Sequence, residues 1–126
     1  METQAKESDE LSLERVLDTL VSLGLAHRDA QVYIYLAKKG PHGEKDIANT
    51  MKLTKQQLRS SLRNLEAKGM VIASLEPSIQ FSAVSIERVI DQFLKAKEEQ
   101  GKALQASRKK LLSSWRSMIE NDSANR

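Results

Sequence analysis

The chain has 126 residues, of which 29% are charged, 4% aromatic and none cysteine, and its formal charge is +3. That length holds one modest core plus an appendage; the few aromatics suit a small helical domain better than a β-sandwich, and the lack of thiols excludes disulfides and thiolate metal sites. The opening METQAKESDE lacks the basic and apolar halves of a secretory signal and no apolar run is long enough to span a bilayer, so a soluble, cytoplasmic protein with no membrane contact is expected.

Residues 1–9 are polar and unpatterned and read as a disordered tail. From Leu11 to Leu25 the apolar residues Leu11, Leu13, Val16, Leu17, Leu20, Val21, Leu23 and Leu25 fall mostly on one helical stripe, with Gly24 near the helix end. A second helix is predicted over about 28–39. Its VYIYLA is apolar nearly all round and so belongs at the centre of the core. Lys38 and Lys39 suit its last turn, and Gly40-Pro41 ends it. A third helix, about 43–51, turns Ile47, Ala48 and Met51 inward.

The joint MKLT leads to a fourth helix, about 54–68. Thr54 reads as its N-cap and Gln57 completes a capping box. Leu58, Leu62 and Leu65 share one face, and Gly69 supplies the stop. The period then changes. MVIASLEPSIQFSAV contains two short β-prone runs around Glu76-Pro77-Ser78 and reads as a hairpin. Ser85 caps a long last helix, apolar at Ile86, Val89, Ile90, Phe93 and Leu94, polar through KAKEEQGKA, then apolar again.

The pattern predicts a mainly α chain with a small β-hairpin: a winged helix-turn-helix domain over 10–84, a long C-terminal helix over 85–120 and a disordered tail over 121–126. In that geometry the fourth helix is held by its leucine face and offers the other to a DNA major groove. The outward residues are Lys55, Gln56, Gln57, Arg59, Ser60 and Arg63, with Asn64 at the border. Gln can bridge adenine and Arg can bridge guanine. Thr54, Lys55 and the free N–H groups of the helix start suit a phosphate. The competing reading is an ordinary solvated face, since Lys, Gln and Arg are good helix formers. Charge favours the first reading: residues 52–68 carry Lys52, Lys55, Arg59, Arg63 and Lys68 against Glu66 alone.

Residues 11–95 also resemble the winged-helix domain of the TrmB-type archaeal transcription regulators. The resemblance is carried by Leu23-Gly24-Leu25, Ala30, Val32-Tyr33, Gly40-Pro41, Asp46-Ile47-Ala48 and the closing LRNLEAKG of 62–69. It implies sequence-directed binding of double-stranded DNA, transcriptional control and a dimer. Three features depart from the pattern. Thr54 and Lys55 stand where a proline and an arginine often open the recognition helix. The wing carries Glu76 and no base. The chain also ends before the sugar-sensing domain of full-length members, so maltose-type sensing is not carried over and no effector is assigned.

Along the last helix Leu104, Arg108, Leu111, Trp115 and Met118 have roughly heptad spacing, which invites a partner helix. Leu104, Leu111, Trp115 and Met118 are the candidate dimerisation residues of a coiled-coil homodimer. A fold-back onto the first helix and a frayed tail are the alternatives, and Gly101 is a possible break. Residues 95–116 carry seven bases against two acids, a solvated face or a source of nonspecific phosphate attraction. His27 and His42 lack ligand-spaced neighbours and read as capping or surface residues. Tyr33 and Tyr35 read as core residues with wet hydroxyls. No phosphate loop, nucleophile elbow or carboxylate pair appears, so neither an enzyme nor a cofactor or metal protein is expected. The alternative to a regulator is a winged-helix protein-interaction module of a larger assembly.

Overall fold

The computed structural model describes residues 2–124, with side chains from 10 to 123. In chain order it contains α1 (Glu2–Ser22), α2 (His27–Lys39), α3 (Glu44–Met51), α4 (Lys55–Ala67), β1 (Val71–Ser74), β2 (Gln80–Ala83) and α5 (Ile86–Ala124). This is the architecture the hydrophobic pattern predicts, a winged helix-turn-helix followed by a long helix. Two units make up the chain, the first ending at Val89 and the second opening at Ile90.

In the first unit the core is built on α2. Val32, Tyr33 and Leu36 are buried together with Leu20, Leu25, Ile47, Leu58, Leu62, Leu65, Met70, Val71 and Phe81. VYIYLA does occupy the middle, although Ile34 and Tyr35 are only half-buried. Gly40 ends α2 at φ +82°, a left-handed conformation that costs a glycine little. The turn from α3 to α4 has no glycine, and Lys52 takes the left-handed residue instead, at φ 56°.

β1 and β2 pair antiparallel, Val71 opposite Ala83 and Ser74 opposite Gln80. Glu76-Pro77, in the connecting loop, is a cis peptide. The hairpin also has a third partner that the sequence pattern does not announce. His42 forms an antiparallel bridge with Phe81, its N–H donating to the Phe81 carbonyl at 3.2 Å and its carbonyl accepting the Phe81 N–H at 2.9 Å. β2 therefore lies between β1 and the segment that leads into α3. His42 is thus a backbone link, with its ring edge-on to Tyr35 at 5.6 Å between centroids.

Four expectations need adjustment. α1 begins at Glu2, not near residue 10, because ETQAKESDE contains no Gly or Pro and several good helix formers. α5 likewise runs through Ala124, past the tail expected from 121; Met1, Asn125 and Arg126 lie outside the described residues. Along α1 the leucine stripe is covered mainly toward its end: Leu17 is half-buried and Leu20 buried, whereas Leu11, Leu13, Val16 and Val21 are exposed. Finally, the Tyr33 hydroxyl is not wet. It donates to the Val84 carbonyl in a buried hydrogen bond that ties α2 to the residue after the hairpin.

The second unit is the remainder of α5. The helix, 39 residues from Ile86 and about 58 Å long at 1.5 Å per residue, passes Gly101 without a break. Leu94, Leu104, Leu111, Trp115 and Met118 are exposed along it. Among the described residues no helix is long and apolar enough to cross a membrane.

Burial raises the Tyr33 pKa above the usual 10.0. The folded chain therefore keeps that proton to higher pH than the unfolded one. The resulting stability is complete below the unfolded value and is lost as pH rises through the folded one. Tyr33→Phe is expected to cost about 1 kcal/mol at neutral pH and to lose less stability than wild type above pH 10; urea titrations at several pH values check both.

Candidate nucleic-acid interface

α4 starts at a fully formed capping box. Thr54 Oγ1 accepts the Gln57 N–H at 3.1 Å, and Gln57 Oε1 accepts the Thr54 N–H at 3.0 Å. Of the four N–H groups that a helix start leaves open, the box occupies two, and those of Lys55 and Gln56 remain for an anion. Leu58, Leu62 and Leu65 face inward at 0–3% exposure. On the opposite side Lys55, Gln56, Arg59, Ser60 and Arg63 are all exposed. The outward set is thus a contiguous surface of two guanidinium groups, an ammonium, an amide and a hydroxyl.

Not every residue in the sequence-based set is equally free. Gln57 is half-buried and its carbonyl is committed to the cap, and the Thr54 hydroxyl already accepts from that cap. Their part is to hold the helix start in shape. Asn64 is committed as well. Its amide donates to Asp29 Oδ2 at 3.1 Å, and Asp29, in the first turn of α2, is only 5% exposed. This pair pins the last half of α4 to the start of α2. It joins residues 35 apart in the chain, a separation at which no local spacing signals a contact.

Besides Asp29, the sequence-based set lacks Glu44, the first residue of α3. Its Oε1 accepts the Arg59 Nε–H at 2.7 Å, with the arginine side chain 58% and the glutamate side chain 29% exposed. A groove of about 560 Å³ runs between α3 and α4, lined by Glu44, Lys45, Asn49, Lys55 and Arg59 among others. Apart from Glu44 its polar lining consists of donors or amides, a composition that suits an anionic backbone. Glu44 lies outside the run 52–68 that sequence reasoning scanned for charge, and only the helix-turn-helix crossing brings it beside Arg59.

A family model described as the sugar-specific transcriptional regulator TrmB matches residues 20–87. The chain belongs to the TrmB family. Solved structures bear out its fold. TrmBL2, an archaeal chromatin protein, superposes with a TM-score of 0.74 at 20% identity, over 87% of this chain and 43% of that one. A protein from Sulfolobus tokodaii gives 0.59 at 22% identity over 72% of this chain and 96% of its own. A MarR-like transcriptional regulator from Thermotoga maritima gives 0.51 at 18% over 96% and 94%. The chain spans less than half the length of TrmBL2. No curated protein matches it. Within the TrmB family match lie the capping box, the leucine face, the outward donors of α4 and the Asp29–Asn64 pair.

Removing the amide of Asn64 leaves a buried carboxylate short of a donor. Asn64→Ala is expected to destabilise the fold by about 1–3 kcal/mol, read as a lower melting temperature by calorimetry. A fall of a few tenths of a degree would mean that α4 does not depend on this bond.

Proposed function

We propose that the chain is a dimeric transcription regulator that acts in the cytoplasm, binding double-stranded DNA sequence-specifically through α4 in the major groove. One observation carries this reading: α4 buries its leucines and leaves Lys55, Gln56, Arg59, Ser60 and Arg63 exposed on the opposite face. Arg59 and Arg63 are the candidates for guanine, Gln56 for adenine, and Lys55 with the open N–H groups of the helix start for phosphate. Membership of the TrmB family supports the same reading, as does TrmBL2, whose structure shows a novel mode of DNA binding.

The dimer rests on the exposed apolar side chains of α5. Leu104, Leu111, Trp115 and Met118, each more than half exposed, carry roughly heptad spacing along one unbroken helix, and water is a poor partner for such a row. A two-fold pair suits a duplex with two half-sites, whose centres lie about 34 Å apart when they are separated by one turn. The bases of α5 between residues 95 and 116 would add phosphate attraction without sequence preference.

A second reading has its own observation. At the hairpin, Ile72, Leu75 and Ile79 are 57–72% exposed, next to Glu76 and without a basic neighbour between residues 71 and 84. An apolar, acid-bearing wing suits a protein surface better than a phosphate backbone. In this reading the winged helix is an interaction module.

Selection from a random duplex pool at low salt separates the two. A regulator enriches a motif, and its affinity falls steeply and log-linearly with salt. Arg63→Ala should lose about 1–3 kcal/mol on the enriched duplex and relax one base position, whereas Lys109→Ala should weaken all sequences evenly. If no duplex shifts the protein at any salt, the DNA reading is wrong. Trp115→Glu is expected to halve the mass measured by light scattering; an intact chain that is already monomeric would remove the half-site geometry.

A further inference from the structure

The proposed DNA contact treats Arg59 as a free reader, yet its side chain is already held. Arg59 Nε donates to Glu44 Oε1 at 2.7 Å, and this is the sole hydrogen bond of its guanidinium among the described residues. The guanidinium has five donors in a planar fork. An arginine that grips guanine end-on uses the two terminal nitrogens, one on O6 and one on N7. The donor taken by Glu44 is the one this grip does not need. Both terminal nitrogens stay uncommitted on a side chain that is 58% exposed.

We infer that Glu44 is a specificity-determining positioning residue: from the start of α3 it fixes the plane and reach of the Arg59 guanidinium so that its outer edge meets one guanine. The inference rests on the DNA-binding reading above. The physical gain is preorganisation. A free arginine samples many rotamers and gives up that freedom on binding. A side chain pinned at Nε has already lost it, and its fork points one way. Glu44 is itself held by its place as the first residue of a helix, where the dipole favours a carboxylate. As an ion pair open to solvent, the contact contributes little to folding, so a stability role and a positioning role are separable.

Simple charge counting predicts the opposite result. Glu44 brings a negative charge to a surface meant for phosphates, and its removal should strengthen binding to any duplex. Positioning predicts that removal loosens sequence choice even while general attraction stays level or grows. The two differ in sign on the preferred duplex, which the variant should bind more tightly by charge counting and more weakly by positioning.

The experiment uses the full chain, with a random duplex pool as probe and the duplex enriched by wild type as the reference ligand. Glu44→Ala is expected to flatten the guanine preference by about fivefold or more at the single position that Arg59→Ala also flattens. Its affinity for unselected duplex should stay equal or rise, and its melting temperature should fall only by the small amount that losing a carboxylate at a helix start costs. Adding Glu44→Ala to Arg59→Ala should cost nothing further, because the two act as a unit. Glu44→Gln keeps an acceptor for Nε and should restore most of the preference. If Glu44→Ala enriches the same motif with the same preference, or binds the reference duplex tighter, Glu44 is a competitor for Arg59 and the inference fails while DNA binding stands. If wild type enriches no motif, DNA reading and positioning fall together.

Discussion

Leu58, Leu62 and Leu65 are almost completely removed from water, and the orientation of α4 follows from that burial. Each leucine contributes about 1.5–3 kcal/mol relative to exposure, so the three together match a large part of the 5–15 kcal/mol that typically separates a folded domain from its unfolded chain. Rotating α4 by half a turn would give this up and drive Arg59 and Arg63 into an apolar core, where a charge without a partner is costly. The helix has one acceptable rotation, and its polar face is therefore an outcome of packing. The leucines settle which side faces out, and the residues on that side settle its chemistry.

Around this constraint a set of weaker polar contacts trims the geometry. The Thr54–Gln57 box sets where α4 begins, Asn64 and Asp29 hold its later turns to α2, and Glu44 reaches Arg59 from α3. None of these rivals the leucines in magnitude, but each acts on a degree of freedom the leucines leave open: the first turn, the tilt of the far end, the aim of one side chain. The cost is that Thr54, Gln57 and Asn64 spend hydrogen-bonding capacity on the protein itself. What remains outward is narrower than the polar count of the helix suggests.

The elements were legible in the sequence because each is announced locally. Leucines recur at helical spacing, Gly40-Pro41 and Gly69 punctuate, and Thr54 with Gln57 satisfies a rule that spans three residues. The outward face was legible for the same reason, being the complement of Leu58, Leu62 and Leu65. What escaped is non-local. Glu44 and Arg59 are 15 residues apart, Asp29 and Asn64 are 35 apart, and His42 meets Phe81 across two helices and a strand. No periodicity encodes such pairs; they exist only once α2, α3 and α4 have packed. The extent of α1 was missed differently. Its first turns carry no apolar stripe to announce them, and propensity alone supports the helix there.

The bridge between His42 and Phe81 has a mechanical side. Two backbone hydrogen bonds rivet the middle strand of the wing to the chain just two residues before Glu44. The hairpin and the opening of α3 consequently share one stretch of ladder, and neither can shift alone without shearing it. Displacing the wing while α3 stays in place would leave the N–H and carbonyl groups of both His42 and Phe81 without their partners, a few residues from the groove between α3 and α4.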